Sequence, residues 1–197
     1  MPNFDQLQKS YSQRWGAANL PRFQAWRDLL RNATGSEPER LKLVNDFFNR
    51  QIVFSDDPTV WGLDDYWATP LETLGKGAGD CEDFVIAKYF SLSYLGVPID
   101  KMRLTYVKAR IGGAGSSISQ AHMVLTYYSQ PDAEPLVLDN LIGDIRPASR
   151  RPDLTPVFSF NSNGVWVGGG RQPNSSVERL SRWTELLTRM RAEGFEP

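Results

Sequence analysis

One cysteine and one histidine occur in the whole chain, and each stands in a segment that suggests chemistry. Cys81 lies within GAGDCEDF, and His122 is near the start of the strand-like run AHMVLTYY. Asp139 lies at the end of LVLDN, the next strand-like run, so the chain order is Cys, His, Asp. A base turns a thiol into a nucleophilic thiolate, and a carboxylate on the far ring nitrogen fixes the tautomer of the base. These residue types predict acyl transfer through a cysteine nucleophile.

The order of the three residues is weak support on its own, because a lone cysteine is often a small buried side chain. The surroundings of Cys81 strengthen the prediction. Glycines at 75, 77 and 79 give way to FVIAKYFSLSYL, so a helix is expected to start at Cys81 with Asp80 as its N-cap. The positive end of the helix dipole favours a thiolate at that position.

Three carboxylates flank the thiol and oppose its ionisation: Asp80, Glu82 and Asp83. At an effective dielectric of about 20, a unit charge roughly 6 Å away disfavours the thiolate by about 2–3 kcal/mol before screening. A divalent cation would neutralise this cluster, and carboxylate oxygens suit Ca²⁺, which takes six to eight ligands. Three side chains are too few, so further ligands would come from the backbone or from the Asp64–Asp65 loop. The alternative interpretation is an acidic helix start without a metal.

Composition limits the other classes of function. The net charge is −1, so the chain has no overall basic field for nucleic acid, and no apolar run has the length of a membrane span. One cysteine excludes an internal disulfide, and the spacing offers no zinc site. The N-terminal segment MPNFDQLQKSYSQRW lacks a signal-peptide core, which predicts either a cytoplasmic protein or a mature exported chain. Arg146, Arg150 and Arg151 are expected on a solvated face.

The first half of the chain is predicted to be helical. One helix is expected over 20–31, with Pro21 near its start. Ser36 and Glu39 form a capping-box pattern before a second helix that ends near Gln51. The aromatic stretch 55–76 is predicted to be a packed loop, in which Trp61 and Trp67 are loop anchors or contacts to a substrate.

The second half is predicted to form strands at MRLTYVKA, AHMVLTYY, PLVLDNL, PVFSFN and GVWVG. The link SQPDAEP fits a hairpin, which would make His122 and Asp139 neighbours on one face of an antiparallel pair. The loop 110–119 is rich in glycine and serine, and it is expected to be a flexible lid or substrate contact. A final helix is predicted after a Ser175/Glu178 capping box, with a stripe of apolar residues formed by Leu180, Trp183, Leu187 and Met190.

The blocks DYWATPLETLGKGAGDCEDFVIAKYFSL, AHMVL and LVLDNL resemble the signature of the bacterial transglutaminase-like cysteine proteinases of the LapG family. The resemblance runs from about Arg40 to Val167. It implies an α+β fold with a papain-like, transglutaminase-like core, in which the nucleophile helix packs on an antiparallel sheet beside an N-terminal helical lobe. The expected organisation is one domain over 1–197, with the lobe at 1–54 and the catalytic core at 55–197.

The same resemblance implies roles for the residues. Cys81, His122 and Asp139 would be nucleophile, base and orienting acid. Asp80, Glu82 and Asp83 would match a calcium site.

The resemblance also implies a biological setting. LapG proteins are periplasmic, calcium-dependent endopeptidases that cut the N-terminal region of a large surface adhesin at a di-alanine site, and the release of the adhesin disperses biofilm. A membrane receptor for cyclic di-GMP, LapD, sequesters the protease. Two alternatives stay open, which are a transamidase or deamidase on the same fold and a binding module without activity. The intact set of Cys81, His122 and Asp139 argues against the binding module.

Overall fold

The first 51 residues form three α-helices, and side-chain caps begin two of them. The structure is a computed structural model that describes residues 1–56, 66–168, 173, 177 and 180–197. Helix α1 spans Phe4–Trp15, α2 spans Leu20–Asn32 and α3 spans Glu37–Gln51. The Asn3 side chain accepts the Gln6 N–H at the start of α1, and the Ser36 side chain accepts the Glu39 N–H at the start of α3. The predicted helices α2 and α3 are confirmed.

The stretch predicted to be a loop over 55–76 contains a helix in its last third, so that prediction is wrong there. Helix α4 spans Pro70–Lys76 and begins with a capping box between Thr69 and Glu72. Gly77 ends the helix in the left-handed conformation, at φ 65°. Thr69 followed by Glu72 three positions later is a capping-box pattern that indicates this helix start. The aromatic residues before it favoured the prediction of a loop. Residues 57–65, which include Trp61 and the Asp64–Asp65 loop, lie outside the described residues.

Helix α5 (Cys81–Tyr94) begins at the predicted residue. Asp80 is its N-cap and forms a reciprocal capping box with Asp83. Two short strands precede it, β1 (Val53–Phe54) and β2 (Ala78–Gly79), and they pair in parallel. The glycine-rich approach to Cys81, predicted to be a loop, therefore contains a strand. Its ten consecutive buried residues, 83–92, make α5 the central helix of its unit.

The second half forms a six-stranded antiparallel sheet in the order β6-β5-β4-β3-β7-β8. Its strands are β3 (Met102–Arg110), β4 (Ser119–Tyr127), β5 (Leu136–Leu138), β6 (Arg146–Pro147), β7 (Leu154–Asn161) and β8 (Gly164–Val167). The five predicted strands are confirmed. The two-residue strand β6 was not predicted, because two residues are too short to show a period.

The last helix, α6, spans Ser181–Glu193 and buries Trp183, Leu186 and Met190. Leu186 occupies the apolar face on which Leu187 was expected, and Leu187 is only half-buried. The predicted Ser175/Glu178 capping box lies outside the described residues.

The chain divides into two compact units. The first contains Met1–Val97 together with Leu180–Pro197, and the second contains Pro98–Arg179. All of the α-helices in the described residues belong to the first unit, and the six-stranded sheet belongs to the second. No helix in the described ranges has both the length and the apolar character that a bilayer crossing requires.

Candidate active site

Cys81 occupies the first position of α5, directly after the N-cap. The residue is half-buried, and its Sγ lies 3.2 Å from Oε2 of Glu82. The Asp83 N–H donates to Oδ1 of Asp80 at 3.2 Å, which closes one half of the capping box. The only thiol of the chain therefore stands at the positive end of a buried helix, where the dipole favours negative charge.

Asp83 is the most tightly held of the three flanking carboxylates. Its side chain is fully buried, and both of its oxygens accept backbone N–H groups. Oδ2 accepts from Asp80 at 3.1 Å and Oδ1 accepts from Ala68 at 2.9 Å. A Cβ at Gly79 would lie 2.8 Å from Cβ of Asp83, so only glycine fits where β2 passes over this carboxylate. Asp83 therefore ties two backbone N–H groups, those of Ala68 and Asp80, to the start of the nucleophile helix.

The acidic residues fit a hard cation in type, because carboxylate oxygens are the ligands that Ca²⁺ prefers. Asp80 and Glu82 are half-buried, whereas Asp83 already uses both oxygens for backbone N–H groups. Over the described ranges, no group of three or more His, Cys, Asp or Glu side chains is arranged to hold a metal ion. A calcium ion at this turn would therefore need oxygens from elsewhere in the chain in addition to those of Asp80, Glu82 and Asp83.

His122 and Asp139 lie together in the sheet, as the hairpin predicted. His122 is in β4 and Asp139 directly follows β5, which pairs with β4 through Leu125 and Leu138. Nε2 of His122 and Oδ1 of Asp139 are 2.7 Å apart, and both side chains are at least 96% buried, with exposed fractions of 4% and 0%. An ionised carboxylate only accepts hydrogen bonds, so Nε2 carries the proton and Nδ1 is the basic nitrogen.

Arg151 belongs to this site, and the prediction that it is solvated is wrong. It was expected on a solvated face, but its side chain is only 1% exposed, and its Nη2 donates to Oδ2 of Asp139 at 2.8 Å. Nη2 also donates to Asp153, and Nε donates to the same carboxylate. Neighbouring Arg150 is exposed. Two carboxylates pair with the charge of Arg151 and offset the free-energy cost of removing it from water. This pairing depends on the fold rather than on the local sequence.

The electrostatics of this cluster keep Asp139 ionised. Burial alone would raise the pKa of Asp139, but hydrogen bonds from His122, Leu141 and Arg151 outweigh it, and the pKa lies below its ordinary value. The Leu141 N–H donates to Oδ1 at 3.1 Å. Burial would lower the pKa of Arg151, whereas its bonds to Asp153 and Asp139 raise it. The imidazole therefore faces a permanent negative charge on its Nε2 side.

Trp67 and the loop 110–119, both predicted as substrate contacts, differ in exposure. Trp67 is 5% exposed, so it anchors its segment and does not present its ring at the surface. Between β3 and β4, Gly112 and Gly113 have positive φ, and Ile118 is 67% exposed. The structure brings His122 and Asp139 together in the second unit, and it places Cys81 with its three flanking carboxylates in the first unit.

Comparison with known proteins gives the chain a family. The model of the family Peptidase_C93, described as bacterial transglutaminase-like cysteine proteinase BTLCP, matches residues 24–166. No curated protein sequence matches the chain.

Three solved structures of LapG from Legionella pneumophila are similar over nearly the full length. The EGTA-treated form is 40% identical with a TM-score of 0.82, covering 96% of this chain and all of LapG. A second structure is 39% identical with a TM-score of 0.80, covering 96% of this chain and 99% of LapG. The calcium-bound form is 40% identical with a TM-score of 0.79, covering 95% of this chain and 98% of LapG. The predicted α+β, transglutaminase-like fold is confirmed.

Proposed function

Because the chain belongs to the bacterial transglutaminase-like cysteine proteinases, we propose that it is a calcium-dependent endopeptidase with Cys81, His122 and Asp139 as its catalytic triad. The observation that carries the proposal is the buried 2.7 Å contact between His122 and Asp139. That pair leaves Nδ1 as the base, and the chain has only one thiol for it to serve. We also propose that residues 1–197 form one catalytic domain, with a helical lobe at 1–54 and the core at 55–197.

In the proposed reaction, Nδ1 of His122 takes the proton of Cys81. The thiolate attacks the carbonyl carbon of the scissile amide and forms a tetrahedral intermediate. As the C–N bond breaks, the imidazolium returns the proton to the leaving amine, and a thioester remains. Water, deprotonated by the same imidazole, then attacks the thioester and releases the acid and the thiol. Asp139 stays ionised throughout and stabilises the imidazolium through Nε2–H.

The proposed calcium site uses Asp80, Glu82 and Asp83 as ligands, together with oxygens from elsewhere in the chain. Bound calcium would offset the negative charge beside the thiol, which otherwise opposes the thiolate. The donation of the Ala68 and Asp80 N–H groups to Asp83 holds the turn that carries these residues. A solved calcium-bound LapG, 40% identical to this chain, supports the assignment.

The proposed substrate is the N-terminal region of a large surface adhesin, cut at a di-alanine site in the periplasm so that the adhesin is released and biofilm disperses. The proposed regulator is the periplasmic domain of a LapD-like receptor for cyclic di-GMP, which sequesters the enzyme. The proposal includes no nucleic-acid partner and no insertion into the membrane. Support for these partners comes from the likeness to LapG.

The test is a cleavage assay on an adhesin fragment that contains the Ala-Ala site, with wild type and Cys81→Ala at saturating calcium and with chelator. We expect wild-type cleavage that chelator abolishes, and no detectable cleavage by Cys81→Ala, because the nucleophile is gone. Substantial turnover by a folded Cys81→Ala protein would refute the triad. A labelled amine in the same assay identifies the alternative chemistry, since a transamidase would attach it to the product. Binding without turnover by the wild type would indicate a silent binding module.

A further inference from the structure

The segment Tyr66–Thr69 connects the nucleophile helix to the C-terminal helix. The Ala68 N–H donates to Oδ1 of Asp83 at 2.9 Å, and Asp83 completes the capping box that begins α5. The position of Ala68 therefore helps to set the turn that presents Cys81. The Thr69 end of the segment is joined to α4 by its capping box, whereas residues 66–68 lie outside every helix and strand. Side chains from other elements add further contacts to these three residues.

Arg189 of α6 makes several of these contacts. Its Nη2 donates to the Trp67 carbonyl at 2.6 Å, directly before Ala68 in the chain. Its Nη1 donates to the Tyr66 hydroxyl at 2.7 Å and to Oε1 of Glu72 at 2.5 Å. The guanidinium also lies over the Tyr66 ring, 4.5 Å from the ring centre. One side chain thus contacts the segment at a backbone oxygen, a hydroxyl and an aromatic ring.

Glu72 joins these contacts into one network. The Tyr66 hydroxyl donates to Oε2 of Glu72 at 2.5 Å, and the Thr69 N–H donates to Oε1 at 2.9 Å. Burial and the bond to Glu72 raise the pKa of Tyr66, so its hydroxyl stays protonated and remains a donor. Arg14 also donates to Oε2 of Glu72, at 2.8 Å, but its side chain is 51% exposed.

We propose that Arg189 is a positioning residue for the nucleophile, because it holds Tyr66–Thr69 so that Ala68 can fix Asp83 and the turn at Cys81. The inference rests on the proposed function in naming Cys81 as the nucleophile. Arg189 does not touch the thiol, so its effect passes through the Trp67 carbonyl, the Ala68 N–H and the Asp83 carboxylate. A planar guanidinium is required, because a lysine ammonium cannot reach the carbonyl, the hydroxyl and the carboxylate in one geometry.

The experiment compares wild type, Arg189→Met, Arg189→Lys and Arg14→Met at calcium saturation and below the melting transition of every variant. For Arg189→Met we expect kcat to fall about 10- to 100-fold with KM within about twofold, since misplacement of a nucleophile affects the chemical step. The alkylation rate of Cys81 by iodoacetamide should fall about three- to tenfold, in keeping with the lost geometry. Arg189→Lys should recover part of both losses.

Arg14→Met is the matched control, because it removes a cation from the same carboxylate at a side chain that is 51% exposed. Its kcat and alkylation rate should stay within about twofold of wild type. Wild-type values of both in folded Arg189→Met would overturn the inference, and if that variant does not fold, wild-type values in Arg189→Lys would do so. If the wild type cleaves no adhesin fragment, the proposed function fails, whereas the alkylation ratio still decides the role of Arg189.

Discussion

At the scale of single residues, Asp139 and Arg151 show how the sheet prepares a histidine for base catalysis. Asp139 is fully buried and accepts from His122, Leu141 and Arg151. The arginine neutralises the carboxylate from the side opposite the imidazole, so a charge that burial would otherwise disfavour persists. Orientation of the base therefore depends on a cation that takes no part in the proposed proton transfers.

We predict that Arg151→Met lowers the free energy of unfolding by about 3–5 kcal/mol, because it leaves a buried carboxylate without its cation. Chemical denaturation followed by tryptophan fluorescence measures the change. Arg150→Met is the matched control: Arg150 is exposed, so its loss should change the free energy by less than about 0.5 kcal/mol. Equal effects of the two substitutions would contradict the inference that Arg151 stabilises the buried carboxylate of Asp139.

At the scale of elements, the C-terminal helix brings a half-buried acid, Glu193, to the segment before α4. The Thr69 hydroxyl donates to Oε2 of Glu193 at 3.0 Å, while Oε1 is buried without a partner among the described residues. Burial is the main cause that raises the pKa of Glu193, the nearby Glu72 adds to it, Thr69, Arg14 and Arg189 act in the opposite direction, and the resulting pKa is about 8. The carboxyl is therefore protonated in the folded protein at neutral pH.

This raised pKa gives stability a defined pH dependence. The unfolded chain releases the proton near its ordinary value of 4.5, whereas the folded protein keeps it until about pH 8. The folded state thus binds more protons within this window, and the contribution of Glu193 to stability is lost as pH rises through it.

We predict that Glu193→Gln increases the free energy of unfolding at pH 8 by about 1–3 kcal/mol and has little effect at pH 4.5, because the amide cannot ionise. Thermal melting of both proteins across this pH range provides the measurement. Glu196→Gln, which changes an exposed acid on the same segment, should leave the pH profile as it is. A wild-type profile in Glu193→Gln would show that this carboxyl does not titrate in the window.

At the scale of the whole molecule, the proposed calcium site links metal binding to folding. The proposed ligands Asp80, Glu82 and Asp83 are held in a fixed arrangement only at the folded start of α5, so the ion should bind the native state in preference to the unfolded chain. A ligand with that preference stabilises the protein by mass action.

We predict that calcium at a hundredfold excess over its dissociation constant raises the free energy of unfolding by about 2.7 kcal/mol. Glu82→Ala should lose most of that increase, together with calcium affinity measured by calorimetry. Asp132→Ala, which removes an exposed acid from the link between β4 and β5, should keep both. An identical melting curve in millimolar calcium and in chelator would show that the acidic cluster caps the helix without binding calcium.

Local sequence determined the parts of this protein whose physical causes are local. Asp80 and Asp83 bracket Cys81 as a capping box, and alternating apolar residues predict β3 and β4, so the nucleophile helix and the histidine strand could be located in advance. The pairing of His122 with Asp139 followed from a short hairpin link. The helix start at Thr69 was missed even though its capping signal is present in the sequence.

Only the tertiary structure decided which charged side chains are buried. Arg151 and Arg150 look alike in sequence, yet one is 1% exposed and bound to Asp139 while the other is exposed. Arg189 contacts Trp67 and Glu72, which are more than a hundred residues away in the sequence. A local sequence pattern cannot predict contacts over that separation. The burial of a charge depends on partners that folding brings from afar, so neither composition nor spacing could reveal these two arginines.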